Sequence, residues 1–332
     1  MSRYNETWAG WNRMDAAMKK RFVGELKPGD VIDDVFVLYE KVMGQKRDGA
    51  AYLNVALSDK TGRIRGVIWE NVDRIAPGCT VGDYVRVQGV VSEYKGVSQV
   101  VVKTIVRDGS CVDPADFIPV TRRNPDQMFE RLKALSETIK KDSLRLLLDR
   151  FWRDETFVAA FKTAPAAKQM HHAYLGGLLE HSLSLALLVD RVADHYAGID
   201  RDLLMTGAIL HDIGKVREFE YRTRIDYSDE GRLMNHIVIG IALLDEKIAS
   251  IPEFPPQTAL MLRHMIVSHH GTREFGSPEP PKTLDAVLLN YLDEIDSKIN
   301  GIREFMGRQD PDADWTEYHR PMERFFYKGK SE

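Results

Sequence analysis

The chain has 332 residues, 43% hydrophobic and 29% charged, which is long enough for two domains with cores of their own. A formal net charge of −4 and a sequence pI near 6.2 exclude bulk electrostatic attraction to a polyanion, so any anionic partner has to be met by a local stripe. Two cysteines, Cys79 and Cys111, exclude a disulfide framework and suit a reducing compartment, and no apolar run approaches a membrane span.

The first 21 residues form a polar extension of mixed charge with no apolar signal-peptide core, which leaves the cytoplasm as the expected compartment. Residues 22–110 then carry five segments rich in Val, Ile and aromatics with frequent period-two alternation: Val31–Val42, Ala51–Leu57, Arg63–Trp69, Tyr84–Glu93 and Val97–Val106. Turn signals separate them at Arg47-Asp48-Gly49, Asp59 to Gly62, Pro77-Gly78 and Lys95-Gly96. Asn71–Ala76 suits a short helix or turn between the third and fourth strands. Five strands without a long apolar helix predict a five-stranded all-β OB barrel. Such barrels bind single strands with exposed aromatics and phosphate-tracking cations, and the candidates are Tyr39, Tyr52, Trp69 and Tyr94 with Lys41, Arg63, Arg65 and Lys95. Basic and acidic residues are equal in number over Phe22–Ser110, so the surface is a stripe at most. Each aromatic has the alternative of an ordinary packing role.

Residues 111–160 are expected to be a linker and a helical lead-in. Pro114, Pro119 and Pro125 stiffen the connector, and helical spacing follows over Met128–Lys140, Ser143–Phe151 and Thr156–Phe161. Residues 161–305 predict an all-α domain. Its helices run over Leu178–Val189, Leu203–Leu210, Ile237–Ile248, Thr258–Ser268 and Leu284–Phe305, with Ser228–Arg232 as a polar turn and Gly271 as a C-cap. The tail, residues 306–332, is polar but punctuated by Trp315, Tyr318, Phe325, Phe326 and Tyr327; fraying is the common fate of such a terminus, packing on a second copy the alternative.

Near the ends of these helices fall His181, His211-Asp212, His236, His269-His270 and Asp293. Imidazoles and carboxylates that converge from separate helices suit two hard or borderline divalent cations such as Mn²⁺, Fe²⁺ or Mg²⁺. A lone His on an apolar helix is more often a core residue, and a His-Asp pair alone arises readily by chance. The series is what carries weight. Asp212 and Lys215 are the candidate catalytic residues, Lys215 as a donor to phosphate, and Arg273 on the Gly/Pro-rich loop after His270 is a candidate phosphate contact. His171, His172 and His264 lack that support, although the His171-His172 pair precedes the His181 helix and has both the site and solvent open to it; Asp296, one turn beyond Asp293, is expected to be a solvated partner of Lys298 or Arg303.

The order H…HD…D with Leu210–Lys215 (LHDIGK) resembles the HD-domain phosphohydrolases. The stretches HHAYLGGLLEHS, NHIVIG, SHHGTREFGSPEPP and LDEIDSKI are similar to the YhaM-type 3′-to-5′ exoribonucleases. The resemblance covers most of the chain, from about Phe22 to about Phe305. It implies an OB barrel followed by an HD domain, Mn²⁺ dependence, and stepwise hydrolysis of single-stranded RNA, and of single-stranded DNA as a further substrate. A phosphodiesterase acting on a small nucleotide or cyclic dinucleotide is the competing expectation, and a binding protein with a merely structural helical half is the third.

Overall fold

In the computed structural model, residues 19–110, 112–168 and 172–329 are described. The expectations for residues 1–18, Cys111, His171 and the last three residues lie outside them. Contacts divide the chain into two units, one reaching to Val120 and including Glu220–Asp226, the other made of Thr121–Phe219 and the chain from Tyr227 on.

Alternation in the first unit closes a barrel. Strands β1 (Val31–Gln45), β2 (Ala51–Asp59), β3 (Gly62–Ile68), β4 (Tyr84–Tyr94) and β5 (Val97–Arg107) join in the order β1-β2-β3-β5-β4, antiparallel except where β3 meets β5. The inward positions hold Ile32, Phe36, Leu38, Leu53, Leu57, Ile68, Val85, Val87 and Val100, each almost wholly buried. Burial of one such side chain stabilises by about 1.5–3 kcal/mol, and a slip of one residue would turn the whole set outward. The β4–β5 hairpin turns on Lys95 and Gly96, both at positive φ (52° and 78°), the twist a two-residue hairpin requires. The short helix α1 (Val72–Ile75) covers one end through Val72 and Ile75. The proline-bearing connector is not a spacer over its first half, because Val112 and Phe117 pack on Val35 and Val37 of β1.

The second unit is helical: α2 (Pro125–Glu137), α3 (Asp142–Trp152), α4 (Glu155–Thr163), α5 (Gly177–Val192), α6 (Arg201–Leu210), α7 (Lys215–Glu218), α8 (Asp229–Ala249), α9 (Pro256–Ser268) and α10 (Leu284–Gly307). Capping side chains fix where several begin. Asn124, Asp154, Asp200, Ser228 and Thr283 each accept a backbone N–H of the first turn. Helices α5 and α6 are apolar nearly all round, so they form the centre, with α2, α4 and α10 against α5, and α9 and α10 against α6. Between α7 and α8 lies a two-stranded ribbon, β6 (Phe219–Glu220) and β7 (Asp226–Tyr227).

Two expectations need correction. Ser228–Arg232 is a helical turn rather than a polar one, and the break in α8 comes at Asn235 (φ 65°, ψ 153°), whose Oδ1 then accepts from Ile237 N at 2.9 Å and caps the next segment. The tail does not fray over its described part: Trp315 pairs with Tyr327 and His319 with Arg324 in isolated bridges, and the Trp315 and Tyr327 rings lie 5.0 Å apart. No described helix is long and apolar enough to cross a membrane.

Candidate metal centre and nucleic-acid surface

Five elements of the helical unit deliver the sequence-predicted ligands to one point. His181 projects from the second turn of α5. His211 is the C-cap of α6, with Asp212 in the turn that follows; His269 is the C-cap of α9; Asp293 stands on α10. The Asn235 break makes His236 the first residue of a new helical segment, close against the Asp212 turn. A Cβ on Gly214 would lie 1.9 Å from the His236 carbonyl oxygen, so only glycine permits this approach.

The ring geometry is uniform. All five histidines have Nδ1 tied to an acceptor: His181 to Asp296 Oδ2 (2.8 Å), His211 to the Ala208 carbonyl (2.9 Å), His236 to Glu218 Oε1 (2.9 Å), His269 to the Ile266 carbonyl (2.7 Å) and His270 to the Phe275 carbonyl (2.9 Å). A carbonyl or carboxylate demands a proton on Nδ1, which leaves Nε2 with its lone pair. His181 Nε2 lies 3.2 Å from both His211 Nε2 and Asp293 Oδ1. Asp212 divides its oxygens. Oδ2 is 3.3 Å from His211 Nε2 and 3.7 Å from His181 Nε2, while Oδ1 is 3.5 Å from His269 Nε2 and 3.7 Å from His236 Nε2. His181, His211 and Asp293 thus form one potential ligand group, and His236, His269 and His270 another.

Whether a cation fits is decided by atoms left without partners. Asp212 Oδ1, His236 Nε2 and His269 Nε2 are buried, have no hydrogen-bond partner among the described residues, and face one another. Buried acceptors left bare cost about 1–3 kcal/mol each, and three converging on one point suit a divalent ion. The charges agree. Burial lowers the His270 pKa to about 3, with His269 and His236 adding to the effect, and burial likewise lowers that of His236. Burial would raise the Asp212 carboxyl, yet Lys215 and His211 hold it well below its usual range. Burial would lower His181 too, but Asp293 and Asp296 push it up to about 10, so a proton and a cation compete for that Nε2.

Lys215 donates to Asp212 Oδ2 at 2.6 Å, which brings it into the cluster. Arg273 is exposed and pairs with Glu279 at 3.3 Å. His264 accepts from Lys282 N and stays apart. Glu218 escaped the sequence reading, and His172 and Asp296, which that reading left without an assigned role in the site, stand beside it. Asp296 is 4% exposed and pairs with neither Lys298 nor Arg303; it meets His181 and His172 instead. Its place one helical turn beyond Asp293 was the available signal.

On the barrel, the outer face of β2 and β3 gathers most of the predicted strand-binding residues. Tyr52 and Trp69 sit 5.1 Å apart, with the Lys46 ammonium 5.4 Å from the Trp69 ring. Arg63 and Arg65 alternate outward on β3, and the Arg63 guanidinium lies 3.5 Å over Tyr39, at the irregularity of β1. Arg224, from the segment that joins this unit, lies 5.6 Å from the same ring. Tyr94 and Lys95 are exposed at the β4–β5 tip. Lys41 departs from expectation, because its ammonium donates to the Ala76 and Cys79 carbonyls at 2.8 and 2.6 Å and is not free to meet phosphate.

An OB barrel joined to a helical unit with this His/Asp centre defines a metal-dependent phosphohydrolase of the HD class with a nucleic-acid-binding fold attached. A family model described as the HD domain matches residues 178–298, and one described as an OB-fold nucleic acid binding domain matches residues 40–107. Over 303 residues the chain is 31% identical to the 3′-5′ exoribonuclease YhaM of Bacillus velezensis (strain DSM 23117 / BGSC 10A6 / LMG 26770 / FZB42), covering 90% of this chain and 95% of that protein. The YhaM exoribonuclease of Bacillus subtilis (strain 168) matches with the same identity and coverage. The chain belongs to this YhaM-type family. Among solved structures, the second OB-fold domain of replication protein A from Methanococcus maripaludis is similar over 28% of this chain and 98% of its own, at 22% identity and a TM-score of 0.23.

Proposed function

We propose that this protein is a metal-dependent 3′-to-5′ exoribonuclease that hydrolyses single-stranded RNA, and single-stranded DNA as a second substrate, in the cytoplasm. The observation that carries the reading is the facing set of bare, buried atoms on Asp212, His236 and His269, in a centre whose histidines all have Nδ1 tied away from it. His181, His211, Asp293 and Asp212 would hold one divalent cation, and His236, His269, His270 and Asp212 the other. The mixed nitrogen and oxygen donors suit Mn²⁺. Two such ions supply activated water and neutralise the scissile phosphate.

The chain's own groups do the rest. Asp212 stands between the two groups, with Oδ2 toward His181 and His211 and Oδ1 toward His236 and His269. Lys215, held on Asp212 at 2.6 Å, keeps an ammonium where phosphate charge grows during in-line attack. On the barrel, Trp69, Tyr52 and Tyr39 stack bases while Arg63, Arg65 and Arg224 follow the backbone. With Mn²⁺, a 5′-labelled single-stranded RNA is expected to give a ladder shortening from its 3′ end. An intact RNA alongside hydrolysis of a cyclic dinucleotide would overturn the assignment in favour of a small-molecule phosphodiesterase.

A further inference from the structure

We propose that Asp296 is a positioning residue of the centre: it sets the tautomer and direction of the His181 ring and thereby the affinity of the His181–His211–Asp293 group for its cation. The inference rests on the metal-dependent reading above.

The imidazole of His181 has a carboxylate of one helix beside each nitrogen, and only the one at Nδ1 meets a proton in the tautomer that leaves Nε2 free for a cation. Asp293 Oδ1 lies 3.2 Å from Nε2, and Asp296 Oδ2, one turn further along α10, lies 2.8 Å from Nδ1. Only the tautomer protonated at Nδ1 satisfies Asp296, and that tautomer turns the Nε2 lone pair toward His211 and Asp212. The carboxylate is itself immobilised. Oδ2 also faces His172 Nε2 at 3.3 Å, and Oδ1 accepts from Ser184 Oγ and from Asn300 Nδ2 at 3.0 Å. His172 is braced in turn, its Nδ1 being 2.7 Å from the Tyr174 hydroxyl.

His172, His181 and Asp296 present three donor atoms within 4.8 Å of one another, which raises the alternative of a further cation at this trio. The acceptor capacity of Asp296 argues against it. A carboxylate offers about four lone-pair directions, and four donors meet this one, two on each oxygen. What remains for Asp296 is orientation. Loss of such a partner behind a ligating histidine typically weakens metal binding about 10–100-fold.

The test is calorimetric titration of Mn²⁺ into chelator-treated full-length protein, comparing wild type with Asp296→Asn, Ser184→Ala and, as a control on the outer surface of α10, Glu294→Gln. The amide in Asp296→Asn keeps one acceptor oxygen but turns a donor toward groups that are themselves donors. One of the two Mn²⁺ ions is expected to bind about 10–100-fold more weakly, the other unchanged, with hydrolysis recovering as Mn²⁺ is raised; a purely structural role would lower the melting temperature without that rescue. Ser184→Ala, which removes a single donor, is expected to weaken the same ion a few-fold, and it decides the matter if circular dichroism finds Asp296→Asn unfolded. Mn²⁺ affinities within about twofold of wild type in the folded variants would overturn the role of Asp296 alone. A wild type that binds no Mn²⁺ would overturn the metal reading and this inference with it.

Discussion

At the scale of single residues, a buried histidine can serve a cation only if its other nitrogen is held, and here the holding groups differ in kind. Three rings lean on main-chain carbonyls, whereas His236 depends on the Glu218 carboxylate, which accepts from both its Nδ1 (2.9 Å) and its backbone N–H (3.1 Å). Glu218→Ala should therefore leave two buried donors bare, at about 1–3 kcal/mol each, and weaken cation binding on the His236 side. Chemical denaturation together with Mn²⁺ titration would check this; unchanged affinity would mean that the ring is positioned by packing alone. The barrel supplies a contrast. Trp69→Ala should weaken single-stranded RNA binding by about 1–3 kcal/mol, the usual worth of one stacked base. Lys41→Ala should leave affinity where it was, because that ammonium is already committed to two carbonyls. Equal losses in filter binding would refute the distinction. Lys41 and Trp69 look equally suitable in the sequence because strand alternation gives the face of a side chain and not its partners. For the same reason His181 and Asp293 were legible as members of the cluster, while Glu218 and Asp296, which meet its histidines from behind, were not.

At the scale of elements, the barrel strands were legible almost to the residue, since each buries one face and ends in a turn with its own chemistry. The helix that carries His236 was less so. Nothing in the residues around Asn235 announces a break, and it falls where Gly214 brings the Asp212 turn close against α8. Gly214→Ala would put a methyl 1.9 Å from the His236 carbonyl oxygen and 2.7 Å from Gly240 N, so a loss of about 1–3 kcal/mol or more is expected in urea unfolding. A neutral outcome would mean that the approach is looser than described. A second joint has a pH signature. Asp154 caps α4 through Phe157 N and accepts from Lys247 of α8 at 2.7 Å. Burial works against its charge, but Lys247 prevails, and the carboxyl lies below its ordinary 3.8. Its contribution is thus complete above the unfolded pKa and disappears as pH falls through the lower folded value. Asp154→Asn keeps the cap and loses the charge, so it should cost up to about 1 kcal/mol at neutral pH and converge with wild type in acid. Unfolding curves that stay parallel down to the acid limit would refute the ion pair.

For the whole molecule, the net charge of −4 constrains how a polyanion can be held. Long-range attraction is absent, so on the proposed reading capture rests on a short stripe where Arg63, Arg65, Arg224 and Lys46 stand near Tyr39, Tyr52 and Trp69; Arg224 also pairs with Asp226 at 3.0 Å, and elsewhere on the barrel Arg86 pairs with Asp33 and Lys60 with Asp116. Arg224 shows why the sequence could not delimit this surface: it lies more than a hundred residues beyond the strands it joins, in a segment between two helices. Each phosphate neutralised on a single strand contributes about −0.7 to the slope of log K against log salt. Four cations therefore predict a slope of about −2 to −3, shallow for a nucleic-acid-binding protein, with stacking sustaining the affinity that remains at high salt. Arg224→Ala should reduce the slope by about 0.7 and Trp69→Ala should lower affinity at every salt concentration without changing it. The measurement is binding of single-stranded RNA by Asp212→Ala protein, expected to be catalytically silent, across a range of KCl. A slope near −5 or steeper would mean that a larger basic surface does the capturing, and the stripe on β2 and β3 would lose its claim to be the principal site.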